Sequence, residues 1–333
     1  MKRVVITGAC GFIGTCLSKL LMADDVEVIG IDNLSRPGSE LNAAELNDGP
    51  FQLHRLDVSH PAKVFDLFAR IGQADAVFHL AAQTAVTTSY QNRQKDFWDN
   101  AVASFNVIEA VKQYSPDAYC LYASTNKVFG HIEVNRPVSM QQPLAPYTPY
   151  GVSKAVGELY FTEYGRRELG LSTCSLRQSC IYGHHQFGVE DQGWMAWFAI
   201  ANLLGRPITI YGDGAQVRDL LFIDDLIDLY RECWLRRVTG VYPVGGGATN
   251  AISLTQGLAL IADITGKQFT EVKREANRPG DQPYFVADLA WAGQLGLQWK
   301  PKTNVPDGVG VMVDWIVKNQ AAIRQLLPPA GGQ

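Results

Sequence analysis

Tyr150 and Lys154 stand four residues apart in Tyr150-Gly151-Val152-Ser153-Lys154, with Ser124-Thr125 about 25 residues upstream. On a helix that spacing puts both side chains on one face, a turn apart. An ammonium held there favours the ionised phenol and can draw a pKa near 10 towards neutrality. Tyr150 then becomes a general acid/base at physiological pH. The same four-residue spacing occurs on many solvated helices, so its weight comes from what else the chain carries.

Thr7-Gly8-Ala9-Cys10-Gly11-Phe12-Ile13-Gly14 lies between an apolar run and a helical pattern. Glycines there let the backbone turn tightly and approach a pyrophosphate, while the helix N-terminus offers free N–H groups and partial positive charge. The spacing is G-x-x-G-x-x-G rather than G-x-G-x-x-G. Asp32 ends the second apolar run, 18 residues after Gly14. A carboxylate at that place hydrogen-bonds the adenosine ribose hydroxyls and repels a 2′-phosphate, which favours NAD over NADP. Arg36, close by, is the one residue that would welcome such a phosphate. Asp57-Val58 follows a third run and reads either as a contact to the adenine edge or, for Asp57, as a helix cap. Leu80-Ala81-Ala82 puts small residues where a backbone must pass near the cofactor.

The elements that position these groups alternate. Strands are expected at Val4–Ile6, Val26–Ile31, Gln52–Leu56, Ala76–Leu80, Ala118–Ala123 and Ser172–Leu176. Helices are expected at Phe12–Met22, Val64–Ile71, Asp96–Gln113 and Pro149–Leu169. Such alternation implies an α/β fold with a doubly wound parallel sheet. From Ser179 to Val217 the regularity fades, as in a smaller lobe. Leu220–Arg236 reads as a strand end and helix, Gly240–Val244 as a strand returning to the main sheet, and Leu254–Thr265, Asp288–Leu295 and Val309–Leu326 as helices. The expected division is a Rossmann domain over 1–178 with a return segment 218–246, and a mixed α/β substrate lobe over 179–217 and 247–330. The Pro-Pro-Ala-Gly-Gly end reads as a frayed tail.

The 333 residues suffice for a full core, and the net charge of −4, without a basic run, argues against a nucleic-acid partner. The opening Met1-Lys2-Arg3 and its apolar run imitate a signal peptide, but Gly8, Gly11 and Gly14 interrupt it. No apolar stretch is long enough for a membrane span. The six cysteines form no C-x-x-C pair, and none has metal-ligand spacing to a histidine. They read as reduced core residues of a cytoplasmic protein. His184-His185 is the one adjacent histidine pair. Neighbouring residues point different ways, so no metal site is expected.

Together these motifs resemble the extended short-chain dehydrogenase/reductase family, the nucleotide-sugar epimerases and dehydratases. The resemblance runs through the glycine motif, Asp32-Asn33-Leu34-Ser35-Arg36, His79-Leu80-Ala81-Ala82-Gln83, Ser124-Thr125, Pro149 to Lys154, Arg218-Asp219 and Arg278-Pro279-Gly280-Asp281. It implies that Tyr150 is the acid/base, that Lys154 holds the nicotinamide ribose and tunes Tyr150, and that Thr125 hydrogen-bonds the sugar hydroxyl being oxidised. Phe12, Ile13, Asn33, Ser35, Gln83 and Asn100 join the implied cofactor contacts. Arg218 and Arg278 resemble a diphosphate clamp, with Thr84, Lys127, Ser179, Gln192, Gly193 and Trp194 as further substrate contacts.

Members of this family begin by oxidising a sugar hydroxyl, and they part afterwards. The 4,6-dehydratases usually carry an Asp-Glu pair directly after the Thr; this chain has Asn126-Lys127. That disfavours dehydration and favours return of the hydride to the opposite face. Ser124 to Gly130, Gln83-Thr84-Ala85-Val86 and Tyr182 to Trp194 look most like the CDP-paratose (CDP-tyvelose) 2-epimerases, although the stretch between Thr125 and Tyr150 is shorter than in that branch. The reading is an NAD-dependent nucleotide-sugar epimerase acting at C2. The alternatives are a 4-epimerase, or an atypical 4,6- or 5,6-dehydratase recruiting Lys127, Cys120 or Glu190. A non-catalytic NAD sensor would have no use for both Tyr150 and Lys154. In this family two helices per subunit commonly pair into a four-helix bundle. Phe97, Trp98, Val102, Phe105 and Ile108 give Asp96–Gln113 a broad apolar load, so a homodimer is expected.

Overall fold

Val4 and Ile6 face one side of their strand and Val5 the other, as the two-residue repeat of a strand requires. Both sides are buried, which is why this strand and its neighbours read as unbroken apolar runs. The computed structural model describes residues 1–47, 49–132 and 135–327. The frayed tail expected at 328–332 lies outside the described residues.

Strands β1 (Arg3–Thr7), β2 (Glu27–Asp32), β3 (Phe51–Arg55), β4 (Ala76–His79), β5 (Tyr119–Thr125) and β6 (Ser172–Gln178) alternate with α1 (Phe12–Ala23), α2 (Ser39–Leu46), α3 (Pro61–Ile71), α4 (Val86–Gln91), α5 (Arg93–Phe97), α6 (Ala103–Tyr114) and α7 (Pro149–Leu159). The remaining strands are β7 (Cys180–Tyr182), β8 (Ile208–Tyr211), β9 (Val217–Phe222), β10 (Gly240–Val244), β11 (Ala251–Ser253), β12 (Val272–Glu275) and β13 (Tyr284–Phe285). The remaining helices are α8 (Trp194–Leu204), α9 (Ile223–Leu235), α10 (Leu254–Thr265), α11 (Ala290–Gln294), α12 (Val305–Lys318) and α13 (Gln320–Leu326).

The main sheet has the order β10-β6-β5-β4-β1-β2-β3 and is parallel throughout. This is the doubly wound α/β arrangement expected, with Gly240–Val244 returning beside β6. One face packs on α1, α8 and α9, the other on α3 and α6. α3 buries Val64, Leu67, Phe68 and Ile71, one stripe at helical spacing. His79 ties strand to helix: its ring lies 2.7 Å from the Thr7 hydroxyl and 3.1 Å from that of Ser104. Burial drives its pKa down to about 3, so the bridge is neutral.

β9 does not join the main sheet. It pairs with β11, β13 and β7, while β8 pairs with β12, so the return segment expected from residue 218 opens in a second sheet and reaches the first only through α9 and β10. The stretch 179–217 is less irregular than expected. It contains β7, β8 and α8, in which nine of eleven residues are buried. A helix apolar on all sides has no stripe, and periodicity therefore misses it. α2 and α4 are likewise absent from the expected helices.

The helices flanking β5 contain π-helical turns. Trp98–Val102 joins α5 to α6, and Tyr160–Glu168 continues α7. Both runs stay helical over the spans expected for them, with an extra residue accommodated inside each.

Candidate active site

The strand order of the main sheet reverses between β1 and β4, so their C-terminal ends open a crevice. Gly8 follows β1 with φ +71°, and a Cβ there would lie 2.7 Å from the Ala81 amide nitrogen. At Gly14 a Cβ would meet the Gly8 carbonyl oxygen at 2.1 Å. The loop thus closes only because both positions lack side chains. α1 begins at Gly11 with no side-chain cap, leaving its first N–H groups free for an anion.

From here a cleft of about 490 Å³ runs to Arg278. Gly8, Gly11, Phe12, Ile13, Gly14, Asp32, Asn33, Ser35, Arg36, Asp57, Val58, Leu80, Ala81 and Ala82 line its cofactor end. Asp32 takes hydrogen bonds from the Cys10 and Leu34 amides at 3.0 and 2.8 Å, fixing the carboxylate at the strand end. Arg36 turns to the Gln192 side-chain oxygen at 3.0 Å. Asp57 accepts from the Ser59 amide at 2.9 Å; α3 starts after His60, so Asp57 is not its cap. Gln83 and Asn100 do not line the cleft. The Asn100 side chain takes the Gln83 amide at 2.9 Å and gives to Ser153 Oγ at 2.9 Å, and Gln83 gives to Asp96 at 2.9 Å. These groups brace the wall from behind.

Thr148 caps α7, accepting from the Gly151 amide at 3.0 Å, and Pro149 occupies the first turn. This sets Tyr150 and Lys154 on the cleft wall with Thr125 and Asn126. The lowered phenol pKa expected of Tyr150 is not found. Burial pushes it up to about 12, and a hydrogen bond with Thr125 opposes this only in part. The reason is the aim of Lys154: its ammonium donates to the Ala123 carbonyl at 2.7 Å and lies 4.3 Å from the Tyr122 ring centre. Burial in turn brings the Lys154 pKa down to about 7.

The far end collects cations. Arg218 donates to Asp281 at 2.7 Å and Lys127 to the Gly280 carbonyl at 3.2 Å. The Arg278 guanidinium lies 3.9 Å over the Tyr211 ring and donates to the Glu190 carbonyl at 3.1 Å. Burial, then the Arg218 charge, lowers the Lys127 pKa to about 8. Thr84, Lys127, Ser179, Gln192, Gly193, Trp194, Arg218 and Arg278 all line this part. Sequence reasoning missed Asp99, Trp197 and Tyr211 on the wall; no motif marks them, whereas Gln186, also on the wall, stands in the Tyr182–Trp194 stretch without having been given a role. Cys120 is fully buried in β5 and does not line the cleft, which removes it as an alternative acid.

The residues fit NAD and a hydroxyl-rich second ligand. The glycine cradle would be filled by any Cβ, and Thr84 Oγ1, Thr87 Oγ1, Ser124 Oγ, Gln186 Oε1 and Trp197 Nε1 are buried beside the cleft without hydrogen-bond partners. Such atoms are costly unless a ligand meets them.

A further group forms where none was expected. The Cys16 sulfur lies 3.6 Å from His184 Nδ1 and 4.0 Å from His185 Nδ1, across 168 and 169 residues of chain. The fold, not chain spacing, brings them together.

Residues 4–241 match the NAD dependent epimerase/dehydratase family. The chain is 35% identical to CDP-paratose 2-epimerase of Salmonella typhi, over 94% of this chain and 98% of that protein. Its fold is similar to the UDP-glucose 4-epimerase of Thermus thermophilus in complex with NAD, with a TM-score of 0.85 and 30% identity over 95% and 99% of the two chains. It also resembles UDP-glucuronic acid 4-epimerase of Bacillus cereus in complex with UDP-glucuronic acid and NAD, with a TM-score of 0.85 and 28% identity over 98% and 100%. The glycine cradle, the fixed Asp32 carboxylate and the Thr125, Tyr150, Lys154 group thus belong to an enzyme whose cofactor is NAD, and the chain is a member of the NAD dependent epimerase/dehydratase family.

Proposed function

We propose that the chain epimerises a nucleotide-diphosphate sugar, with C2 of a CDP-hexose as the inverted centre. One observation carries this reading. Asn126 and Lys127 follow Thr125 on the cleft wall, where elimination of water would need a carboxylate pair. The carboxylate that acts on Tyr150, Asp96, does not line the cleft and is held by Ser153 at 2.6 Å. The 35% identity to CDP-paratose 2-epimerase supports C2 and the cytidine nucleotide.

In this reading Tyr150 takes the proton of the sugar hydroxyl and later returns it, while Thr125 orients that hydroxyl. Bound NAD supplies a hydride acceptor that gives the hydride back, so no net redox change results. Lys154 holds the ribose, and Asp32 the adenosine hydroxyls. Arg218 and Arg278 grip the diphosphate, a task suited to planar guanidinium groups, and Lys127 adds a point charge. Ser124 and Thr84 offer their unpartnered hydroxyls to the hexose.

Incubation with CDP-, GDP- and UDP-hexoses, followed by NMR, tests the proposal. The expected product differs from its substrate at one stereocentre, C2, with no NADH accumulating. A product that has lost water, or stoichiometric NADH, would sink it; inversion at C4 would move the reaction to another carbon. Solvent deuterium appearing at C5 or C6 would mark elimination.

We further infer that two copies associate through α5, α6 and α7, and that the protein works in the cytoplasm. Phe97, Trp98, Phe105, Val152 and Leu159 are exposed on this surface, whereas Ile108, expected among them, is fully buried in the core. All six cysteines are free thiols, and no described helix is long and apolar enough to cross a membrane.

A further inference from the structure

We propose that Cys16, His184 and His185 bind a divalent cation of borderline softness, zinc, at the edge of the cleft, whose wall includes His185. Their ligand atoms form a triangle with sides of 2.7, 3.6 and 4.0 Å. A cation about 2.0 Å from two imidazole nitrogens and about 2.3 Å from a thiolate fits over such a triangle. It leaves a fourth position for water. Among the described residues no other histidine, cysteine or carboxylate cluster has this compactness.

Adjacent histidines normally diverge. Here His185 adopts φ +62° after Gly183 at φ +153°, a left-handed twist that a residue with a side chain rarely takes. The twist lets both Nδ1 atoms converge. Strain of this kind persists where the surroundings impose it.

The outer contacts point the same way. His184 Nε2 lies 2.9 Å from the Asp224 carboxylate and His185 Nε2 lies 3.0 Å from that of Glu45. A carboxylate on the remote nitrogen holds that nitrogen protonated and turns the near lone pair inward, the arrangement usual behind a metal-bound histidine; at His184 Asp224 does this alone, and at His185 Glu45 does it against the Lys19 ammonium 2.8 Å away. Two inward lone pairs 2.7 Å apart repel unless a proton or a cation lies between them. Lys19 pairs with Glu45 at 2.5 Å. Two carboxylates and a thiolate against one ammonium leave two negative charges, which one divalent cation cancels. On binding, the Cys16 thiol gives its proton to solvent. Cys16 is 6% exposed, while the His184 side chain is 22% exposed and offers the entry path.

The rival is a neutral chain of hydrogen bonds. Lys19, 2.8 Å from His185 Nε2, would donate to it, His185 Nδ1 would donate to His184, and His184 to Asp224. That arrangement needs no cation.

The cation would join α1, which carries the glycine motif, to the turn after β7, with Glu45 of α2 and Asp224 of α9 behind. The test uses the NAD-loaded protein, stripped with chelator and titrated with Zn(II) against a chromophoric competitor, and with Co(II) by absorption. One equivalent is expected, with a thiolate-to-cobalt charge-transfer band. Cys16→Ser should remove the band and weaken Zn(II) at least 100-fold. Glu45→Gln combined with Asp224→Asn should weaken it about 10-fold or more. Retained NAD in each variant shows that it has folded. Absence of the band, affinity unchanged by Cys16→Ser, or less than a tenth of an equivalent bound overturns the proposal.

Discussion

At the residue scale, Tyr150 and Lys154 share the cleft wall but not in the protonation states that their spacing suggests. Burial holds the phenol near 12 and the ammonium near 7. The positions were legible in the sequence, whereas the aim of Lys154 at Ala123 and Tyr122 was not, because it depends on how α7 meets β5. Removing only the phenol oxygen with Tyr150→Phe should lower kcat by about 10²- to 10⁴-fold while NAD stays bound; unchanged turnover by NMR would contradict the role given to Tyr150. The pH response has a defined sign. Between about 7 and the ordinary Lys value, the unfolded chain holds a proton that the folded chain has released at Lys154. Stability of the NAD-free protein relative to Lys154→Met should therefore rise with pH across that window. Urea midpoints of both proteins at pH 7 and pH 10 give the comparison, and a wild-type-minus-variant difference that falls or stays constant between them contradicts it.

At the element scale, turns and strand ends set the geometry. Gly14→Ala puts a Cβ against the Gly8 carbonyl oxygen at 2.1 Å, so the loop must open and NAD content of the purified protein should fall severely. Asp219, on β9, takes the Gly247 and Ala287 amides at 3.2 and 2.8 Å and so fastens the second sheet to its loops. Asp219→Ala leaves two buried N–H groups unpaired and should cost about 2–4 kcal/mol in a denaturant melt, with Asp219→Asn costing less because an acceptor remains. The alternation of β1 to β6 with α1, α3, α6 and α7 could be read from apolar patterning, while the short α2 and α4 could not. α8 could not, because burial on every side removes the polar face that marks a helix. The wall residues Tyr211 and Trp197 were hidden for a related reason: they sit on that buried lobe and belong to no short motif.

At the scale of the whole molecule, the surface of α5, α6 and α7 leaves Trp98 46% and Phe105 39% exposed. Trp98→Glu with Phe105→Glu should convert a dimer to a monomer by light scattering, and an unchanged mass would remove this surface from the assembly. The π-helical turns at 98–102 and 160–168 divide these helices into segments out of phase. An α-helix advances about 100° per residue, so an extra residue would rotate everything beyond it by that amount; the wider π turn absorbs it, and only the sequence period is offset. Asp96 and Phe97 precede the first such turn, Asn100 lies inside it, and Ile108 follows it. The side chains bracing the cleft, those facing outward and those filling the core are therefore set by one rotational offset. Deleting a single residue within 98–102 would therefore let the wide turn close to a plain α-helix with Phe97 still outward and Ile108 still inward, whereas a deletion within the regular turns of α6, which have no slack to absorb it, would turn the outward and inward faces against each other.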